Sequence, residues 1–476
     1  MKNLILFILI IVMYFSNDYA QYQNIYSAQS VREDLKYLYQ TLDKSHYNLY
    51  KNTPKEIFNK EFDNIYYSIN DSLTLLQIDR LFHRFVALAR DGHTNLPDPP
   101  ISSYLQYLKN NGTLFPLNIY FENRRVYVLD NFSSDSSIIP GDEIVSINGK
   151  SMNDYLDDIY DYLCGDNKYS KASTIESFTF PRMNWIVKDE EKNFKIGIRK
   201  HDGSLINKNV LSVQAAKFEQ RMAGKKPLLD QTRFFCFIDD VAYLKPGIFY
   251  SIKTNEQNHY KGSMTNNYNF IKYLDSCFTL IYKMNINKLI IDLRDNPGGS
   301  ATFSNPMVAF IATKPFIINS NFFMRTSEIS KKFWKEVNDT SELFTDIKKE
   351  VMSRQDGERF VISSNKYKYY PRKDTLKYNG KVYVLINRFT FSQAIEVAQI
   401  ISSYNLGILI GEKTPPLKSA NARQFILPNT RITVSFSEAY YDNISLSKGV
   451  CPDYIIHDDL LTEKDEILDF ALNLMK

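Results

Sequence analysis

Cysteine is scarce in this chain: Cys164, Cys236, Cys277 and Cys451 are the only four, and no two stand at C-x-x-C spacing. Their separation excludes a cysteine-only zinc site of the usual spacing and a thioredoxin-type redox pair, while two disulfides stay open. No charge of one sign dominates either. The 58 basic and 54 acidic side chains are intermixed and leave a net charge of +4, which gives no basic footprint for nucleic acid. Internal repeats and low-complexity tracts are absent. Only one long apolar run occurs, the twelve residues at 4–15 behind Lys2. That is the length of a signal-peptide core and too short to span a bilayer comfortably. The sequence therefore predicts an exported protein, periplasmic or extracellular, with residues 1–20 as signal peptide. Asp18 fits the small-residue rule before a cleavage after Ala20 poorly, so an uncleaved membrane tether stays open.

What is there suffices for a large core. A chain of 476 residues, 44% hydrophobic and 14% aromatic, holds two or three domains. Residues 25–110 read as a helical N-terminal domain. Leu35, Leu38, Tyr39 and Leu42 share one face. Thr53 with Glu56 and Thr74 with Gln77 have capping-box spacing before two further helices, the first burying Ile57, Phe58, Phe62 and Ile65. The last of these helices ends at Asp91-Gly92-His93-Thr94, where Gly92 suits a left-handed terminator and His93 is aimed by the turn that follows. The other five histidines lack such punctuation. Pro-rich residues 97–100 mark a boundary. Residues 113–215 then read as short strands, and IIPGDEIVSINGKSM at 138–152 resembles the most recognisable segment of a PDZ domain, a small sheet module that takes up peptide termini. A helical insertion at 153–163 and an irregular stretch to Trp185 depart from a compact PDZ module.

From residue 230 onward the pattern is alternating α/β. A buried strand at 288–293 runs into Arg294-Asp295-Asn296-Pro297-Gly298-Gly299 and then a helix, the arrangement an oxyanion-binding loop needs, because glycine lets backbone N–H groups approach a ligand. Residues 326–357 form a charged, helical insertion. Residues 381–414 read as strand, turn, helix and strand. Ser392 lies at the hand-over to the helix, with Thr390 and Gln393 at capping-box spacing, which predicts Ser392 in the first helical turn. A hydroxyl there has free backbone N–H groups and the positive helix end beside it. Either it caps the helix or it is a nucleophile whose product is an oxyanion.

Four segments in order, IIDLRDNPGG at 290–299, VYVLINRFTFSQAIEVA at 382–398, LIGEKT at 409–414 and GVCPDYII at 449–456, resemble the tail-specific, or C-terminal processing, serine peptidases. DGHT at 91–94 looks like the branch that includes the tricorn core protease and the interphotoreceptor retinoid-binding protein. The resemblance implies an α/β fold with a crotonase/ClpP-like peptidase core over 230–476, a PDZ-like module and an N-terminal helical domain. It implies Ser392 as nucleophile, His93 as general base, and backbone N–H groups of Gly298 or Gly299 and of Gln393 as oxyanion donors. Other family members use a lysine base, for which Lys418 is the counterpart, although the usual flanking glycines are replaced around Pro415-Pro416. The acidic member expected before the GV-x-PD segment has only Glu438 and Asp442 as nearby candidates. Glu396 matches a helix position with a structural or orienting role. No cofactor or metal is implied, and the substrate is polypeptide. The alternative is a non-catalytic ligand- or peptide-binding protein on the same scaffold.

Overall fold

The computed structural model describes residues 25–97, 100–225, 229, 231–254, 260–263, 266–317 and 320–476; the predicted signal peptide at 1–20 and part of the boundary at 97–100 lie outside them. At its centre is a six-stranded sheet in the order Phe234–Ile238, Val241–Lys245, Lys288–Asp292, Lys381–Ile386, Ile408–Gly411, Tyr454–Ile455. The first pair is antiparallel and every later pair parallel. Side chains alternate across a strand, so the near-continuous apolar runs of the four inner strands require burial on both faces, and those strands are buried almost throughout. On one face Leu289, Ile291, Val382, Val384, Ile386 and Leu409 pack under helices Tyr268–Lys283, Ala301–Ile311 and Gln393–Ser403. On the other, Ile290, Tyr383, Leu385 and Ile410 meet Ile467 and Ala471 of the last helix, Glu466–Leu474.

A second, four-stranded antiparallel sheet stands beside this core, in the order Arg359–Ser363, Asn321–Arg325, Thr433–Tyr441, Ser419–Ile426. The hairpin of Ser419–Ile426 and Thr433–Tyr441 reaches out of the core into the N-terminal domain. There Phe425, Leu427, Val434 and Phe436 share an apolar cluster with Val31, Leu35, Phe58, Phe82 and Phe85. The hairpin turn is pinned by Asp34, whose buried carboxylate accepts from the Thr430 N–H (2.7 Å) and hydroxyl (2.6 Å) and from the Asn429 N–H (3.0 Å). The insertion between the core halves forms two helices, Glu328–Glu336 and Glu342–Ser353, anchored by the buried Trp334.

Residues 113–215 carry an antiparallel sheet of Leu117–Glu122, Arg125–Asn131, Glu143–Ile147, Asn193–Arg199 and Leu205–Leu211. The stretch expected to be irregular is instead two helices, Lys168–Phe178 and Phe180–Lys188, which fill the module's core with Ile175, Phe180 and Met183. This module is tied to the central sheet by Arg388, which joins Glu176 (2.8 Å) to Glu412 (2.7 Å).

Three local expectations change. The helix Leu75–Val86 does carry the Thr74–Gln77 capping box, but the helix Lys55–Ser68 starts after Pro54 with no side-chain cap, and Ile57 is exposed. The left-handed stop before His93 is Arg90 (φ 49°) rather than Gly92, because a 3₁₀ turn at Ala87–Ala89 ends the helix two residues early. All four cysteines are free thiols. Among the described residues no helix is long and apolar enough to cross a membrane.

Candidate active site

Strand Lys381–Ile386 leads into a tight turn before helix Gln393–Ser403, and the chain spends its strain at one residue. Ser392 stands at the N-cap with φ 51° and ψ −123°, a left-handed conformation for a residue with a Cβ. Such backbone costs of order 1–3 kcal/mol and persists only where surrounding structure enforces it. Here the enforcement is visible. Asn387 Oδ1 accepts from the N–H groups of Phe389 (3.0 Å) and Thr390 (3.1 Å), Thr390 donates its hydroxyl to Leu293 O (2.9 Å), and the Phe391 N–H donates to Asn296 O (2.9 Å). The expected capping box does not form: Thr390 faces Leu293, and the Ser392 hydroxyl makes no capping hydrogen bond. It points at His93 instead, with Oγ 3.1 Å from Nε2.

His93 arrives from the N-terminal domain, 299 residues earlier in the chain. Its segment is stitched to the hairpin by a pair of backbone hydrogen bonds between Asn95 and Ser435 (3.1 and 2.8 Å). Its ring stacks on Phe391, centroids 5.1 Å apart. Behind it, Nδ1 lies 3.1 Å from Ser419 Oγ, and Ser419 donates its hydroxyl to Asp91 Oδ1 at 2.5 Å. Proton positions follow from these contacts. An ionised carboxylate only accepts, so the Ser419 proton is committed to Asp91 and the Ser419 oxygen accepts from Nδ1–H. That leaves the lone pair of Nε2 facing the Ser392 hydroxyl, the tautomer a general base requires.

Asp91 is buried, which alone would raise its pKa. Hydrogen bonding and the charge of His46, the charge of His93 and the Ser419 hydroxyl outweigh burial and hold it well below the usual carboxylate range. Further donors converge on it: the His93 N–H on Oδ1 (2.8 Å) and the Thr94 hydroxyl on Oδ2 (2.9 Å). His93 is shifted downward too, but by burial itself. Burial pushes it below the ordinary 6.5, offset in part by Asp91, so the free base prevails at neutral pH.

The glycine turn packs directly on the serine. Gly298 has φ 95°, and a Cβ there would fall 2.6 Å from the Gln393 nitrogen and 2.8 Å from Ser392 Cβ, so only glycine fits. Of the expected oxyanion donors, the Gly298 N–H is engaged by Asn296 Oδ1 (2.9 Å). The flanking bonds Phe249 N–H to Gly298 O and Ser300 N–H to Phe249 O turn the Gly299 N–H away from Phe249. The N–H groups of Gly299 and Gln393 have no hydrogen-bond acceptor among the described residues.

The remaining candidates lie elsewhere. Lys418 Nζ contacts the Asp166 carbonyl oxygen (3.5 Å), not Ser392. Glu438 is paired with Arg423 and accepts from Trp334 Nε1 (2.7 Å). Asp442 accepts from the N–H of Asn321 (2.7 Å) and the hydroxyl of Ser320 (3.2 Å). Glu396 is buried one turn after the serine, hydrogen-bonded to Tyr441, with burial lifting its pKa to about 7. Ser419 and Asp91 are the site residues that reading the sequence missed. Asp91 stood inside the DGHT segment, while Ser419 had no signal beyond its place next to Lys418. Among the described residues no three His, Cys, Asp or Glu side chains converge as metal ligands would.

Residues 259–456 match the model of Peptidase family S41. No curated protein matches the chain. Among solved structures, mature CPAF complexed with lactacystin is 14% identical, with 90% of this chain and 94% of that one covered at a TM-score of 0.57. Mature CPAF gives the same identity and TM-score over 92% of its chain. The photosystem II D1 C-terminal processing protease is also 14% identical, over 91% of this chain and 95% of that one, at a TM-score of 0.39. At these identities the likeness to mature CPAF concerns the fold. The family match takes in both the Gly-Gly turn and the Ser392 helix, so residues 259–456 carry the peptidase domain of family S41, the tail-specific serine peptidases.

Proposed function

We propose that this serine peptidase cleaves peptide bonds through an acyl-enzyme on Ser392, with His93 as general base and Ser419 and Asp91 as its orienting relay. His93 Nε2 takes the hydroxyl proton as Ser392 Oγ bonds to the substrate carbonyl carbon, and the carbonyl electron pair moves onto oxygen. The N–H groups of Gly299 and Gln393 receive that oxyanion; losing one such donor typically raises the barrier by about 3 kcal/mol. Collapse of the intermediate breaks the C–N bond while His93 returns the proton to the departing amine. Water then repeats the sequence on the ester, releasing the acid and the free serine. The observation that carries this reading is the 3.1 Å approach of His93 Nε2 to a serine held at φ 51°. A ligand-binding scaffold without catalysis would have no use for a hydroxyl freed from capping and aimed at an imidazole lone pair. We further propose export, on the apolar run at 4–15, and peptide uptake by the PDZ-like module at 113–215.

The test is labelling by a fluorophosphonate probe together with peptide turnover. Wild type is expected to label and to turn over peptide, and Ser392→Ala to do neither. Absence of serine-dependent labelling and of turnover across a broad pH range would sink the catalytic reading.

A further inference from the structure

His46 is the C-cap of helix Ala28–Ser45, its own N–H bonded to Leu42 O at 2.9 Å. Its side chain is buried, and both ring nitrogens are assigned by their neighbours. The Asn48 backbone N–H donates to Nδ1 at 3.0 Å. A backbone N–H only donates, so Nδ1 bears the lone pair and the proton sits on Nε2. That Nε2–H faces Asp91 Oδ2 at 3.0 Å and Thr94 Oγ1 at 3.1 Å. The two oxygens of Asp91 thus have separate duties: Oδ1 meets the relay serine and the His93 N–H, and Oδ2 is fastened by His46 and Thr94. Thr94 is itself held, accepting from the Ser437 N–H at 3.1 Å.

We infer that His46 is a positioning residue, which fixes the plane of the Asp91 carboxylate so that Oδ1 stays on Ser419 and His93 keeps its proton on Nδ1. Without His46, Oδ2 has only the Thr94 hydroxyl, and a carboxylate with one loosened oxygen is free to rotate about its bond to the chain. Ser419 then loses its fixed acceptor and can turn its proton toward His93 Nδ1, which favours the opposite imidazole tautomer. In that tautomer Nε2 carries the proton and cannot accept from Ser392. The other charged groups near this carboxylate are Lys51, Asp166 and Lys418, which line the cavity behind it together with His46 and Ser419. None of these three hydrogen-bonds to Asp91.

The kinetic part of this inference rests on the peptidase reading above, and the tautomer part does not, so the experiment reads both. With only six histidines in the chain, ¹⁵N-histidine NMR can report the imidazole nitrogens of wild type, His46→Ala and His46→Gln at a pH where His93 is neutral. Wild type is expected to show His93 protonated at Nδ1, His46→Ala a shift toward the Nε2–H form, and His46→Gln a return, since its amide can donate from the place of Nε2. In peptide turnover His46→Ala should lower kcat about ten-fold with KM nearly unchanged, and His46→Gln should recover most of the loss. A His93 tautomer unmoved in His46→Ala overturns the inference, as does an equal loss in both variants with KM rising alongside. Should His46→Ala fail to fold, His46→Asn replaces it. Its shorter amide does not reach Oδ2, so activity equal to that of His46→Gln would also overturn the role. If wild type turns over no peptide, the peptidase reading falls while the NMR still decides what His46 does.

Discussion

Two buried carboxylates are held against the same hairpin, and they have opposite fates. Glu438, on strand Thr433–Tyr441, is paired with the buried Arg423 guanidinium and the Trp334 N–H; burial still raises its pKa. Asp91, docked against that strand through Thr94 and Asn95, has hydroxyls, an imidazole and a backbone N–H around it, and its pKa is lowered. The difference lies in the partners. A guanidinium cancels the charge of Glu438 where it sits, so that carboxylate is spent on structure. Hydrogen-bond donors and the two histidines, rather than a guanidinium, stabilise the ionised form of Asp91, and its field acts in turn on His93. Of the two, the acid that can serve the proposed base His93 is therefore told by what it is hydrogen-bonded to, not by its distance from a motif.

That contrast can be broken most sharply at Asp91. Asp91→Asn is expected to cut kcat by roughly 10²–10⁴-fold, as losing the acid of a Ser/His system does by releasing the histidine tautomer. Its pH profile adds a sign. His93 must be neutral to accept a proton, so kcat/KM of wild type should fall as pH drops through a value below 6.5. Because Asp91 is what opposes the effect of burial on His93, the acid limb of Asp91→Asn should lie lower still. A limb that moves up would contradict the relay.

Ser419→Ala comes next, with a loss of about 10²-fold in kcat, because His93 Nδ1–H then lacks its acceptor while Asp91 stays in place. Retention of full activity would mean that Asp91 acts on His93 only through space. Glu438→Gln should leave kcat within about three-fold of wild type and lower stability by roughly 3 kcal/mol, since it strands a buried guanidinium. Thermal unfolding measures this, and an activity loss without a stability loss would reverse the comparison. The smallest effect belongs to Lys418→Ala, expected to keep kcat within about two-fold; complete inactivation would return the lysine to candidacy as base.

Much of this was legible from residues alone, for identifiable reasons. The buried strands at 288–293 and 381–386 declared themselves by apolar runs that only a two-sided sheet accommodates. Ser392 and the Gly298-Gly299 turn lie in segments whose chemistry depends on neighbours in sequence, and His93 lies just past a helix end. The relay was not legible, because it joins residues hundreds of positions apart. Ser419 sits next to Lys418, and consecutive side chains of an extended segment point in opposite directions. Which of the two meets His93 is set by where strand Ser419–Ile426 begins, an end that its sequence does not mark. Asp91 was in view, but the left-handed stop is at Arg90 rather than Gly92, and a two-residue difference in a left-handed position leaves no trace in hydrophobic periodicity.

The hairpin has a further consequence in time. A ribosome emits His93 early, Ser392 much later, and Ser419 with the strand that anchors the His93 segment last of all. Until Thr433–Tyr441 has paired with Ser419–Ile426 and Ser435 has bonded Asn95, the imidazole has neither its backing nor its place. A chain that stops short of this strand therefore carries every earlier part of the proposed machinery in unassembled form, and the His93–Ser392 pair is set only once synthesis has passed Tyr441.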